Sequence, residues 1–259
     1  MEEIQRTRFK VKTTFTNRHL IHHNLHNYWR KMSEFSQKIK LSYFPIEGVA
    51  EKVRLTFALL DIPFEDERIP FAKFAEMKAT LPSGQLPLIE IDGNTYTQSA
   101  AMARYAALLD PADKLYPRND PMKCFHIDRM CGILEDDARD FAPCIYLSMK
   151  PASFGHREGF EKTEEGAAVI KDLREKYVRD RLPVHFKQIS DQLKSSGGPF
   201  LFGADLTMAD IWFLPRIRYL QKGICDNVPT TCLDSFPDIL AWRDAMMAVP
   251  NIKKWYESH

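Results

Sequence analysis

No window of the sequence approaches the roughly 18 consecutive apolar residues that a helix needs to cross a bilayer. An integral helical membrane protein is excluded on that ground, and a soluble chain with no membrane partner is the expectation. A surplus of one charge is missing too. Lys and Arg number 36 against 35 Asp and Glu, a formal net charge of +1, so the basic excess of a nucleic-acid binder is absent. Cysteine is scarce and unpatterned: Cys124, Cys131, Cys144, Cys225 and Cys232 form no C-x-x-C pair. Five such residues fit buried free thiols in a reducing compartment better than a disulfide framework. Repeats and low-complexity stretches are lacking as well. What remains is ordinary, since 44% hydrophobic and 27% charged residues describe a globular chain. Its 259 residues suffice for two modest domains that need no metal.

Residues 1–37 differ from the rest. Arg6, Arg8, Lys10, Lys12, Arg18, Arg30 and Lys31 stand against Glu2, Glu3 and Glu34, without the apolar core of a secretory signal. They read as a basic, flexible N-terminal extension; organelle targeting is the alternative, weakened by Glu2 and Glu3. Met32, just ahead of the first strand-like run, offers an alternative start. His19, His22, His23 and His26 fall at helical spacing, but with no cysteine or carboxylate beside them they read as a solvated tail rather than a metal site.

Beyond the extension, KIKLSYF (38–44) alternates like a strand and Pro45 ends it. From Glu47 to Asp61, Val49, Val53, Phe57 and Leu60 recur at helical steps. Phe64 to Ile69 reads as a second strand, which makes a right-handed βαβ unit with parallel strands. Two short β-rich runs then meet across Asp92-Gly93, a hairpin signal. Ser99 caps a helix carrying Met102, Tyr105, Ala106 and Leu109 on one face. DPADKLYPRNDP (110–121) has the proline and aspartate of a linker. After it come helical periods only: 121–149 and 156–195 each suit a long helix, with Pro143, Pro151 and Pro183 expected to kink or interrupt them. In LTMAD (206–210), Thr207 and Asp210 stand at capping-box spacing, flanked by Leu206 and Ile211 as a hydrophobic staple.

Several residues in this layout could do chemistry. Tyr43 closes the first strand, and in sheets with parallel strands ligands bind outside such ends; tyrosine is equally a common core residue of strands. Its neighbour Ser42 is the other candidate, pointing to the opposite face. Pro87 opens a strand, where a trans bond is the default for proline. Gln98-Ser99 begins a helix whose free N–H groups suit a carboxylate, although an ordinary serine cap explains the same residues.

Taken together and in this order, these features resemble the glutathione transferase family, most closely its sigma-like class. The carrying motifs are LSYF followed by Ala50-Glu51 and Arg54, then LPSGQLPLIEIDG and QSAAMARYAA, with LTMAD further on. The likeness runs from about Ile39 to the C-terminus and is sharpest from Leu41 to Tyr105. It implies an α/β thioredoxin-like N-terminal domain (βαβ-ββα) over 38–114, and an all-helical C-terminal domain over 115–259 for the second substrate.

The resemblance implies glutathione as co-substrate, a hydrophobic small-molecule electrophile, a homodimer and a cytoplasmic setting, with no metal. Tyr43 would donate a hydrogen bond to the glutathione sulfur. The Leu86-Pro87 bond would be cis, with the Leu86 backbone pairing to the cysteinyl part of the tripeptide. Gln98 and Ser99 would hold the γ-glutamyl carboxylate, while Phe74, Lys78 and Gln85 border the glycyl end. Asp136 or its neighbour Asp137 would reach the γ-glutamyl amine of the other subunit. Phe141, Ile145, Tyr146 and Met149 are candidates for the apolar wall of the acceptor site, with core packing as their other use. This chain departs from the pattern at Glu47 and Val49, where sigma-like enzymes carry arginines, one of them supporting the tyrosine, and at Phe74, where they carry tryptophan. Weaker thiol activation follows. A glutathione-dependent isomerase of the prostaglandin D synthase kind and a non-catalytic protein of the S-crystallin kind are the alternatives.

Overall fold

Alternation in KIKLSYF becomes strand β1 (Ile39–Tyr43), whose Ile39, Leu41, Ser42 and Tyr43 are all buried. A computed structural model describes residues 37–259; the extension up to residue 36, including His19, His22, His23 and His26, lies outside the described residues. After β1 a 3₁₀ turn (Gly48–Ala50) leads into helix α1 (Glu51–Leu59), shorter at both ends than the 47–61 periodicity predicts. Gly48 at φ +47° and Asp61 at φ +52° hold left-handed conformations that cannot continue a helix. Strand β2 (Glu65–Arg68) follows, without the flanking Phe64 and Ile69.

The sheet is completed by β3 (Leu88–Ile91) and β4 (Asn94–Tyr96), in the order β2-β1-β3-β4. β1 runs parallel to β2 and antiparallel to β3. The β3–β4 hairpin turns at Asp92 and Gly93, both at positive φ (50° and 83°), the geometry that a tight two-residue hairpin demands. A short helix α2 (Phe71–Met77) lies between β2 and β3, and α3 (Ser99–Leu108) follows β4.

The remaining residues are helical: α4 (Pro121–Met149), α5 (Glu164–Lys176), α6 (Leu182–Ser196), α7 (Met208–Gln221), α8 (Pro237–Ala248) and α9 (Pro250–Ser258). Pro143 does not interrupt α4, which runs 29 residues through it. The 156–195 stretch does not form one helix. A π-helical turn (Tyr177–Arg181) separates α5 from α6, where the missing N–H of Pro183 withholds a donor from the preceding turn. The Thr207/Asp210 capping box forms as its spacing predicts and starts α7. Asp210 goes further, because its fully buried carboxylate also accepts from Leu201 N and Trp242 Nε1, both at 2.8 Å. No helix of the described residues is long and apolar enough to cross a membrane. All five cysteines are free, and Cys131, Cys144 and Cys225 are buried.

Helix α1 is the wedge between the halves, packed against α3, α7 and α9. Its Lys52 is only 9% exposed, with Nζ 4.0 Å above the Trp212 ring and no hydrogen-bond acceptor for that Nζ among the described residues. Burial pushes its pKa down to about 8 from the ordinary 10.5, against upward pulls from Glu135 and Cys131 and with a further downward push from Arg104. Below pH 8 the folded chain therefore carries a poorly solvated ammonium. The lost solvation, reduced by the indole contact, is worth about 2 kcal/mol. Lys52→Met is expected to raise stability by about that amount at pH 7. Between about 8 and 10.5 the unfolded chain binds the extra proton, so the parent gains stability as pH rises and the advantage of the variant shrinks. Urea unfolding of both proteins at pH 7 and pH 10 checks this; a constant difference would contradict it.

Candidate active site

Ser42 and Tyr43 leave β1 on opposite faces. The Ser42 hydroxyl donates to Glu67 Oε2 at 2.6 Å across the parallel ladder, which commits it to the sheet. Tyr43 turns instead toward the 45–50 turn and is 7% exposed. Gly48 backs onto the phenol so closely that a Cβ built there would lie 2.6 Å from Oη and 2.8 Å from Cε1. Burial raises the phenol pKa; the Val49 backbone N–H counters this, Tyr146 adds to the rise and Arg54 opposes it. At neutral pH the phenol is protonated, so its Oη is able to donate.

The turn beneath Tyr43 has little packing of its own, since Ile46 and Val49 are 44% and 49% exposed. Arg54, fully buried, holds it from inside. Its guanidinium donates to the carbonyls of Ile46 (2.7 Å), Phe44 (3.3 Å) and Glu47 (3.4 Å). Its remaining directions meet Asp66 Oδ1 at 2.9 Å and Glu51 Oε2 at 3.2 Å. Five acceptors around one planar cation compensate the cost of burying it. The same guanidinium lies 5.7 Å from the Tyr43 ring centroid.

The other residues singled out by the motifs gather around the same end of the sheet. Phe44 meets Tyr43 edge-on, stacks on Phe71 and meets Phe74 edge-on at 5.0 Å, so Phe74 joins the aromatic cluster beside Tyr43. Lys78 and Gly84 come together because the 81–84 turn doubles back, with Leu81 N donating to Lys78 O and Ser83 and Gly84 both at positive φ. Gln85 is exposed beside them. The Leu86-Pro87 bond is cis, as the family pattern implies and against the trans default for proline. Gln98 is left-handed (φ 76°, ψ 95°) and makes no side-chain cap. Ser99 makes none either, so the serine-cap reading does not hold, and the first N–H groups of α3 stay available. A non-glycine residue in that conformation is strained.

Of the two neighbouring carboxylates, Asp137 is fully buried, accepting from Tyr177 Oη at 2.5 Å and Arg216 Nε at 2.7 Å. It is committed inside the helical half. Asp136 is exposed on α4 and pairs with Arg139 at 2.7 Å. The four acceptor-wall candidates divide in the same way. Phe141 is a buried core residue, its ring 4.8 Å from that of Tyr177 and 4.1 Å from the Arg216 guanidinium. Ile145 is half-buried against the core, whereas Tyr146 and Met149 are exposed and Tyr146 is electrostatically coupled to Tyr43.

A buried phenol at the end of β1, a cis-proline turn and an uncapped helix start thus share one edge of a βαβ-ββα sheet that packs on a helical half. Residues 49–109 match the family pattern described as "Glutathione S-transferase, N-terminal domain", and residues 159–259 match "Glutathione S-transferase, C-terminal domain". The Caenorhabditis elegans protein "Probable glutathione S-transferase 7" is 31% identical over 219 residues, spanning 85% of this chain and 95% of the relative. The chain belongs to the glutathione S-transferase family. Among its relatives, human "Hematopoietic prostaglandin D synthase" is 29% identical over 83% of this chain and 94% of its own. The solved "prostaglandin synthase D of Nilaparvata lugens" superimposes with a TM-score of 0.69 at 27% identity, over 85% of this chain and 97% of that one.

For this glutathione S-transferase, the sequence left three features of the site unread. Gly48 gave no hint that its bare Cα backs the phenol. Arg54 stood in a motif without a role. Glu47 registered as a departure, although its carboxylate bonds to Arg218 and Lys222 of the helical half. A Gly between Glu47 and Val49, just ahead of a helix, is the signal that points to the first.

Proposed function

We propose that this chain joins glutathione to hydrophobic electrophiles, with Tyr43 as the group that favours the thiolate. The observation that carries this reading is the place of the Tyr43 phenol, at the end of β1 beside the cis Leu86-Pro87 bond and the uncapped start of α3, where a phenol protonated at neutral pH can donate to sulfur. A free thiol with a pKa of about 8.5 is only a few per cent ionised near neutrality. Lowering it by about two units, roughly 2.7 kcal/mol, makes the thiolate dominant. The thiol proton leaves to solvent and the thiolate attacks the electrophilic carbon; in substitution the C–S bond forms as the carbon–halogen bond breaks and halide departs, and in addition the C–S bond forms as a C=C π bond breaks and the neighbouring carbon takes a proton from solvent.

In this reading the strained Gln98 backbone and Ser99 receive the γ-glutamyl carboxylate at the start of α3. The Leu86 backbone, ahead of Pro87, pairs with the cysteinyl unit, and Phe74, Lys78 and Gln85 border the glycyl end. Asp136, the exposed member of its pair, reaches the γ-glutamyl amine of a second subunit in a homodimer. Tyr146 and Met149 offer an apolar rim to the electrophile. Five free thiols accord with a cytoplasmic setting.

Tyr43→Phe is expected to raise the pKa of bound glutathione toward that of the free thiol and to lower turnover of a generic chloronitroaromatic about 10- to 100-fold, with glutathione affinity little changed. Ultraviolet titration of the bound thiolate and steady-state kinetics check it. An unchanged thiol pKa would remove Tyr43 from the mechanism. The relatives named as prostaglandin D synthases favour one second reading, glutathione-dependent isomerisation. Product analysis separates the two, because isomerisation regenerates glutathione.

A further inference from the structure

We propose that Glu47 is a positioning residue for Tyr43: its carboxylate, gripped by Arg218 of α7 and by Lys222 just past its end, clamps the 45–50 turn against the phenol from across the two halves of the chain. The inference rests on the reading of Tyr43 as the thiol-activating group. Apart from Ala50, the turn has little apolar packing, since its Ile46 and Val49 are about half exposed. Arg54 grips its carbonyls from the sheet side. Glu47 supplies the second grip, accepting at Oε1 from Arg218 Nη2 at 3.1 Å and from Lys222 Nζ. With one anchor the turn can pivot about Arg54; with two on opposite sides it cannot.

Arg218 is itself held before it meets Glu47. Its guanidinium lies 3.5 Å from the Tyr256 ring centroid on α9 and its Nη1 is 3.7 Å from Met247 Sδ on α8. Its Nε is sealed without an acceptor, and Glu47 is the carboxylate that meets it among the described residues. A path of direct contacts therefore runs from α9 through Tyr256, Arg218 and Glu47 to Gly48, which touches the phenol. The charged and titratable groups facing Glu47 are Arg218, Lys222, Arg54 and Glu51, with Tyr256 close by; those facing the phenol are Arg54 and Tyr146. Glu47 acts through the turn and touches no substrate.

The test compares Glu47→Ala and Glu47→Gln with the parent and with Tyr43→Phe in the full chain. The readouts are the pKa of bound glutathione, the pH profile of kcat with a chloronitroaromatic, and KM for glutathione. Glu47→Ala is expected to move the bound-thiol pKa upward, shift the kcat profile to higher pH and lower kcat roughly fivefold near neutrality, leaving KM within about twofold. Glu47→Gln, which retains one acceptor oxygen, falls between it and the parent. Loss of stability with an unmoved thiol pKa and pH profile would make Glu47 a plain strut and overturn the inference. If Tyr43→Phe also leaves the thiol pKa unmoved, the parent reading fails; if only the Glu47 variants leave it unmoved, the clamp alone fails. Should Glu47→Ala not fold, Lys222→Met removes one of the two cations from the same contact and is read in the same way.

Discussion

Asp210→Ala is expected to cost about 4 kcal/mol of folding stability, read as a lowered urea midpoint with an unchanged slope. The carboxylate is fully buried and accepts four hydrogen bonds. Oδ1 takes Leu201 N and Trp242 Nε1 at 2.8 Å, and Oδ2 takes Thr207 N and Oγ1 at 2.9 Å. Alanine strands the donors of three residues that are themselves buried, each a penalty of about 1–3 kcal/mol before relaxation. Thr207 at the start of α7, the 197–206 segment and α8 all lose their common anchor. Asp210→Asn keeps one acceptor oxygen and sets an amide against two donors, of which the Thr207 hydroxyl can rotate to accept. About half the loss is expected. An alanine variant within about 1 kcal/mol of the parent would show that water replaces the carboxylate at no great cost.

Gly48→Ala is expected to lower turnover about 100-fold. Two effects combine in it. The residue sits at φ +47°, where an L side chain costs about 1–2 kcal/mol. The new methyl would then lie 2.6 Å from Tyr43 Oη, well inside contact distance, and the ring is too buried to swing clear. Either the phenol moves or the turn does. With Tyr43 in its proposed role, a displacement on the order of 1 Å is worth about two decades in rate. Val49→Ala is the control: the same turn, an exposed side chain, and turnover expected to stay near that of the parent. Kinetics with a chloronitroaromatic, alongside thermal unfolding, separate misplacement from loss of fold. Equal turnover in the Gly48 and Val49 variants would show that the phenol tolerates the crowding.

Period and turn chemistry made the sheet legible in advance. KIKLSYF, the Asp92-Gly93 hairpin and the Thr207/Asp210 box each reported a local constraint that the folded chain honours. Failures came where tertiary contacts override local signals. Pro143 sits inside α4, whose 29 residues are held along their length by α6, α7 and the π turn. Pro183, by contrast, interrupts the 156–195 stretch as its missing N–H predicts, and only the π form of the interruption goes beyond that expectation. At the candidate site, strand position alone did not separate Ser42 from Tyr43; the Glu67 carboxylate across the ladder occupies Ser42. Asp136 and Asp137 were indistinguishable as letters. Tyr177 and Arg216, tens of residues away, bury one and leave the other outside. Phe141 was lost to the core for the same reason: a helix carries several apolar faces, and only its neighbours decide which one faces a ligand.

The Trp255 indole donates to Glu51 Oε1 at 2.8 Å across a sequence separation of 204 residues. Synthesis proceeds at about 5–20 residues per second, so roughly 10–40 s pass between the emergence of these two partners. Throughout that interval the wedge helix lacks its α9 contact and its Glu51 carboxylate lacks the indole donor. Arg218, 171 residues after Glu47, emerges earlier, and Tyr256 follows Trp255 directly. A nascent chain long enough to contain the whole sheet thus still lacks the last partner that its α1 carboxylate takes in the folded protein.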